Sequence, residues 1–427
     1  MSTYTNKINI KPWIKNTEIN AVLSAITRDG KEARFIGGCV RNHILGKPVN
    51  DIDIATQEPP NRIATLLNGA GIKAIPIGIQ HGTITAIINN KKFEITTLRR
   101  DMETNGRQAV VEYTKDWEQD AARRDFTINA ISVDLDGNIF DYFTGQQDLS
   151  AKVIRFIGDA PSRIKEDYLR ILRYFRFIAT LGLEIGDQRD LNDCVDNASK
   201  LRILSAERIR SELFKILSSK MKKDIMQLMY HKGVLSIILP HATSPDRLMK
   251  LSQLETNNFI NESTPPDPIR RLAALTETNL TGVAKITAAL KLSKIENNRL
   301  TNLKRQTNEI RWNMTNNELR RVVYKRGPTE VIDLALLNWA DTEISRQGKN
   351  IPKAEEGWQN VILNIQKNIE KTLIFPINGQ DVIDHEIPPS KKVSQLLGQV
   401  EEWWLNNGCI ADRKACLKKL EMIIDLI

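Results

Sequence analysis

The sequence predicts an α+β protein, with a mixed first part up to about residue 150 and helices from there to the C-terminus. Three observations carry that expectation. Short apolar runs bounded by turn residues read as strands at Lys73–Ile77, Thr83–Ile88 and Lys92–Thr96. Asn89-Asn90 stands between the last two as a hairpin turn, and Asn61–Ala70 reads as a short helix. After about residue 160 the apolar period lengthens: Ile209, Leu213, Ile216 and Leu217 fall at i, i+4, i+7 and i+8. The helical region is punctuated at Ser263–Pro268 (Ser-Thr-Pro-Pro-Asp-Pro) and at Gly348–Pro352. Both read as joints rather than long linkers.

The 427 residues suffice for two to four structural units with a sizeable buried core. With 41% hydrophobic and 26% charged residues, wholesale disorder is excluded. The net charge of +9 points to a polyanionic partner. It is not spread evenly: Arg270–Arg326 holds 13 Lys/Arg against 4 Asp/Glu, a local excess equal to that of the whole chain. Solvated helical surfaces are often charged, but clustering on this scale favours a phosphate-backbone surface. Cys39, Cys194, Cys409 and Cys416 are scattered without a C-x-x-C, so neither a zinc site nor a disulfide framework is expected. No run of about 18 apolar residues predicts a membrane span. The scattered cysteines imply a reducing compartment, and the N-terminus shows neither an apolar leader nor early arginines, so a cytoplasmic setting is expected.

The densest chemistry lies at Gly37-Gly38-Cys39-Val40-Arg41 followed by Asp51-Ile52-Asp53. Paired glycines let backbone N–H groups approach phosphate oxygens. In an extended strand residues i and i+2 share a face, so Asp51 and Asp53 are expected to aim together with Ile52 opposite. Two carboxylates that close repel unless a cation lies between them, which is how Mg²⁺ is held for nucleotidyl transfer. A lone D-x-D is commonly a solvated strand end. Here the flanking Phe35-Ile36 and Ile54 place it in a strand–turn–helix–strand unit.

Two further blocks add to it. Arg123-Arg124-Asp125-Phe126-Thr127-Ile128-Asn129 precedes an apolar strand expected at Ala130–Val133. Adjacent guanidiniums suit a triphosphate, and Asp125 and Asn129 suit a ribose hydroxyl. In Glu166-Asp167-Tyr168-Leu169-Arg170-Ile171-Leu172-Arg173-Tyr174-Phe175-Arg176, helical spacing puts Asp167, Arg170 and Arg173 on one face, with Arg170 also i+4 from Glu166. Two readings stay open. One is a salt-bridge ladder that only stabilises the helix. The other is a base reader: a carboxylate accepts from the exocyclic amine of cytosine or adenine while a guanidinium donates to the ring nitrogen. Uracil and guanine reverse both polarities and leave buried groups unpaired.

Together these blocks resemble the class II tRNA nucleotidyltransferases, the CCA-adding enzymes, and their relatives the bacterial poly(A) polymerases. The likeness continues through Asp141, Gly145 and Asp148 and through Ser205-Ala206-Glu207-Arg208-Ile209, so it spans about residues 35 to 217. Pro376-Ile377-Asn378-Gly379-Gln380-Asp381 is similar to a recurrent segment of the family's tail. The resemblance implies a polymerase-β-like nucleotidyltransferase head (residues 1–149), then an all-helical neck (150–222), body (223–341) and tail (342–427), with body and tail on tRNA. It implies that Asp51 and Asp53 hold two Mg²⁺, with Glu94 as a third carboxylate, and that Gly37, Gly38, Arg41 and Arg124 hold the triphosphate. Asp125 and Asn129 would meet the ribose, Asp167 and Arg170 the base, with Arg173 and Arg176 in support. The family's first block commonly ends in Arg-Asp; here it reads Arg41-Asn42, which keeps a hydrogen-bonding shape and loses a charge.

The resemblance further implies which activity is present. CCA-adding enzymes carry a flexible loop between the first two blocks, and Leu98–Tyr113, with Arg99, Asp101 and Arg107, fills that place. Gly78-Ile79-Gln80-His81-Gly82-Thr83 stands where the poly(A) polymerases usually carry a Gly-Arg-Arg-Phe-type segment, and the tail has no basic extension. None of His43, His81, His231, His241 and His385 is followed by Asp, so no phosphohydrolase metal site is expected. Addition of CCA to tRNA from CTP and ATP is therefore the expectation. CC-adding, A-adding and poly(A) activities are the alternatives.

Overall fold

The computed structural model describes residues 4–105, 108–220, 225–239, 241–256, 264–276, 280–305, 309–345, 352–369 and 373–426. They form two compact units, Met1–Ile216 with Lys232–Ile238, and Leu217–His231 with Leu239–Ile427. The expected boundary at 222 and most of the Gly348–Pro352 joint lie outside the described residues.

The strands of the first unit are β1 (Tyr4–Lys7), β2 (Ala33–Ile36), β3 (Asp53–Thr56), β4 (Lys73–Ile75), β5 (Thr83–Ile88), β6 (Lys91–Thr97), β7 (Arg99–Asn105), β8 (Gln108–Tyr113), β9 (Ser132–Val133) and β10 (Asn138–Phe140). Eight of them make one mixed sheet in the order β1-β10-β9-β2-β3-β6-β5-β4, and β7 and β8 form a separate hairpin. In the centre, Phe35 pairs with Ile54, Ile54 with Ile95 and Ile95 with Ile84. All four side chains are fully buried, and that row fixes the register. The same alternation turns Asp53 and its neighbour Glu94 to the other face.

The expected β5–β6 hairpin forms as read. Asn89 and Asn90 both take positive φ, 49° and 61°, the conformation a two-residue hairpin turn requires. The expected helix appears at Pro60–Gly69. Three expectations change. The strand expected at Ala130–Val133 is shortened to Ser132–Val133, because Thr127–Asn129 winds into a 3₁₀ turn capped at Ala130. Asp51 precedes β3 rather than lying in it. The segment read as a mobile loop, Leu98–Tyr113, is mostly the β7–β8 hairpin, with Arg107 outside the described residues.

The unit's helices follow the apolar period. In Ala206–Leu217, Ile209, Leu213 and Ile216 are buried, as the spacing predicts. The elements of the second unit are all helices among its described residues, joined by turns and one isolated bridge between Ala242 and Thr276. Its basic stretch is not all surface. Arg270 and Arg271 are buried against Glu255, and Arg270 and Arg299 both bind Asp333. Arg326 is held by Glu309 and Glu330. Part of the sequence excess is therefore internal charge pairing, which the chain's charge count does not reveal.

Candidate active site

β2 ends at Ile36 and the chain turns sharply at Gly37, where φ is +68° and ψ −123°. That conformation excludes a Cβ in practice, which explains the first glycine. The short helix Gly38–Ile44 follows and carries Arg41, only 8% exposed. Arg41 donates to the Asn129 side-chain oxygen, and to the Asn42 side-chain oxygen at 3.2 and 2.8 Å. Asn42, the family departure, therefore serves as a neutral acceptor for this guanidinium. Burial and the nearby Arg176 pull Arg41 down to about 10, so it stays cationic at neutral pH.

Asp51 and Asp53 line one cleft of about 700 Å³ together with Gly37, Gly38 and Arg41. Burial raises the Asp53 pKa first, and the neighbouring charges of Glu94 and Asp51 raise it further against Arg124. Glu94 is exposed and not part of the cleft lining, so its link to the pair is its place beside Asp53 in the sheet. Among the described residues no group of three or more metal-ligating side chains is assembled. Two mutually repelling carboxylates on one wall are nonetheless a donor set that fits a hard divalent cation.

The second block enters the same cleft with Arg123, Arg124, Asp125 and Asn129. Asp120, 3% exposed, holds Arg123 at 2.7 Å and Arg124 at 3.0 Å. Asp125 is buried and accepts from Asn129 at 2.9 Å, from the Phe126 N–H at 3.0 Å and from Arg173 Nε at 2.6 Å. Arg41, Asn129, Asp125 and Arg173 thus form one continuous polar chain. The Asp141 block secures this segment from behind. Asp141 accepts from the Gly145 and Gln146 N–H groups, and Asp148 accepts from the Thr127 hydroxyl at 2.7 Å.

The third block differs from the single helix expected. The chain breaks at Asp167, whose φ of −153° and ψ of 105° are extended, between helices Ala160–Glu166 and Leu169–Leu181. Asp167 accepts from the Leu169 N–H at 3.1 Å and from Arg208 at 2.7 Å. Arg170 pairs with Glu166 at 2.6 Å and donates to the Arg163 and Arg123 carbonyls, each at 3.0 Å. The i,i+4 ion pair is therefore real, yet Asp167, Arg170, Arg173 and Arg176 all line the cleft. Arg176 lies over the Phe177 ring at 3.9 Å and pairs with the buried Glu212.

Of the expected loop residues, Arg99 lines the cleft and its guanidinium donates to the His81 carbonyl. Asp101 sits in β7 opposite Val111. Arg208 and Lys215 line the cleft without having been assigned there from the sequence, and Arg123 lines it beside Arg124, as the reading of adjacent guanidiniums expected. For Arg208 the available signal was its place in Ser205-Ala206-Glu207-Arg208-Ile209, the segment that carries the resemblance past the third block.

A mixed sheet with a carboxylate pair at the start of a strand, beside a glycine turn and a wall of guanidiniums, is the equipment of a nucleotidyltransferase. Residues 33–155 match the family model described as the Poly A polymerase head domain, and residues 191–244 that of the probable RNA and SrmB-binding site of polymerase A. The chain is 34% identical over 403 residues to the mitochondrial CCA tRNA nucleotidyltransferase 1 of Mus musculus, across 91% of this chain and 86% of that protein. It is 37% identical over 219 residues to the CCA-adding enzyme of Staphylococcus epidermidis, across 51% and 54%. In structure it is similar to the Bacillus stearothermophilus CCA-adding enzyme solved with CTP, at a TM-score of 0.74 and 23% identity over 97% of this chain and 98% of that one. The chain belongs to the CCA tRNA nucleotidyltransferase family.

Proposed function

We propose that this enzyme adds C, C and A in turn to the 3′ end of tRNA, taking CTP and then ATP. The observation that carries the reading is the cleft itself, where a carboxylate pair shares one space with nine cationic side chains. Such a space holds a triphosphate and a hydroxyl nucleophile better than any neutral ligand. The cation held by Asp51 and Asp53 is proposed to be Mg²⁺, which when bound neutralises triphosphate charge and favours the attacking hydroxylate.

The chain's own residues do the rest. The Gly38 backbone N–H, with Arg41 and Arg124, cradles the triphosphate; the Gly37 N–H is taken by the Ile131 carbonyl at 3.3 Å, so Gly37 serves through its turn. Asn129 and Asp125 fix Arg41 and Arg173 and stand where a ribose edge would come. Asp167 accepts from the base amine and Arg170 donates to the ring nitrogen, with Arg173 and Arg176 behind them. Selection of C and A over U and G then follows from donor and acceptor polarity on rigid side chains. Residues 1–149 serve as head, 150–222 as neck, and 223–341 and 342–427 as body and tail, which bind tRNA by its backbone and shape. Exposed Lys285, Lys294, Arg305, Arg311 and Lys325 supply charge for that surface.

The test is incorporation on tRNA lacking its 3′ CCA, with Mg²⁺ and each labelled nucleotide alone and together. Two C, one A and a stop support the reading. Two C without A would make this a CC-adding enzyme, and a long A tail without C a poly(A) polymerase. No helix among the described residues is long and apolar enough to cross a membrane. Cytoplasmic action is part of the proposal. Since the Mus musculus, Homo sapiens and Danio rerio relatives are mitochondrial by name, organelle enrichment on cell fractionation would replace it.

A further inference from the structure

One buried carboxylate outside the cleft lining connects two of the cleft's parts. Asp120 sits in the helix Trp117–Ala122, is 3% exposed and does not line the cleft. One of its oxygens accepts from the backbone N–H of Arg99 at 3.2 Å and from Arg123 at 2.9 and 2.7 Å. The other accepts from Arg124 at 3.0 Å. Arg99 opens β7, and its side chain lines the cleft beside those of Arg123 and Arg124. Three cleft residues therefore converge on one carboxylate. Burial opposes its charge, but Arg124 and Arg123 hold its pKa below the ordinary carboxylate range, so it is an anion at neutral pH.

We propose that Asp120 is a positioning residue that sets the two guanidiniums for the nucleotide triphosphate and couples their placement to the start of the β7–β8 hairpin. A buried carboxylate has few acceptor sites, so a phosphate that draws Arg124 forward alters the hold on Arg99. The coupling is reciprocal: whatever steadies the start of β7 also steadies the guanidiniums. Near its base the hairpin is also held by the Arg99 guanidinium on the His81 carbonyl and by two backbone bonds. Thr114 N–H donates to the Leu98 carbonyl at 2.9 Å, and Leu98 N–H to the Thr56 carbonyl at 2.9 Å. The inference deepens the proposed nucleotide-binding reading of the cleft and rests on it.

Two variants separate the two jobs. Asp120→Asn keeps an oxygen for Arg99 and Arg123 but turns an N–H toward Arg124. Asp120→Ala removes every bond. In the full-length enzyme, KM for CTP and the exchange of amide hydrogens over residues 98–105 are measured with and without CTP. The expected result for Asp120→Asn is a rise in KM of about tenfold, a smaller fall in kcat, and retained protection of 98–105. For Asp120→Ala the segment exchanges faster, and CTP no longer slows it as it does in the parent. An unchanged KM in Asp120→Asn overturns the guanidinium role. A CTP response in Asp120→Ala equal to the parent's overturns the coupling. If Asp120→Ala does not fold, Asp120→Asn decides both parts: its KM tests the guanidinium role, and a CTP response over 98–105 equal to the parent's overturns the coupling, because its bond to Arg124 is gone. A parent that incorporates neither C nor A, yet binds CTP and shows the exchange response, would refute the proposed activity and leave this inference standing.

Discussion

Asp51 and Asp53 show how little backbone regularity a carboxylate pair needs. Only Asp53 belongs to β3, while Asp51 lies exposed just before it, and both reach the cleft. Asp51→Ala is expected to cut nucleotide incorporation on the order of 10³-fold or more while leaving tRNA binding intact. A filter-binding assay beside the incorporation assay checks both halves, and surviving activity would refute the metal assignment. At the other side, Asp167 depends on Arg208 at 2.7 Å and not on Arg170. Removing the partner in Arg208→Ala leaves the Asp167 carboxylate held by the Leu169 N–H alone, with one oxygen unpaired. Misincorporation of U or G is expected to rise about 10- to 100-fold relative to C, the worth of one charge-assisted hydrogen bond. Competition between labelled CTP and UTP measures it.

At the scale of elements, the site is held by turns packed against each other. Gly145 begins a helix so close to the Thr127 turn that a Cβ there would press on the Thr127 carbonyl and come within 2.9 Å of the Ile131 side chain. Gly145→Ala is expected to destabilise the head by about 1–3 kcal/mol, read by urea denaturation. A neutral effect would mean the turn can shift freely. The helix Gln188–Asp196 carries Asp190, which accepts the Phe156 N–H at 3.2 Å and is pushed up to about 6, chiefly by burial. The folded chain thus prefers the protonated acid more than the unfolded chain does. Its contribution is fully present below the unfolded value, near 4, and is lost as pH rises through about 6. Asp190→Asn is therefore expected to be more stable than the parent at pH 7 and equal to it near pH 4. Denaturation at the two pH values gives the answer, and an equal difference at both would refute it.

Across the whole molecule, charge serves two purposes that composition cannot separate. In the second unit Glu255 is fully buried between Arg270 and Arg271, at 2.6 and 2.7 Å. Glu255→Gln takes the carboxylate from the buried Arg271 and leaves Arg270 with the Asp333 carboxylate alone, and should cost about 3–5 kcal/mol of that unit's stability. A loss below about 1 kcal/mol would mean that water or another carboxylate takes its place.

The sequence alone determined the α+β order, the hairpin at Asn89-Asn90, the glycine turn and the carboxylate pair. Each of these is written in local chemistry: backbone freedom, side-chain period or the spacing of two charges. The three blocks were legible as one site only through their joint resemblance to a family, since 37–53, 123–129 and 166–176 are far apart in the chain. Tertiary structure decided what each charge does. It broke the helix at Asp167 and gave that carboxylate to Arg208. It joined Arg41 to Arg173 through Asn129 and Asp125, and it turned Arg270, Arg271 and Arg299 inward. A guanidinium has the same sequence signature on a surface, in a core or in a cleft. Its role is set by the partner that folding brings within about 3 Å.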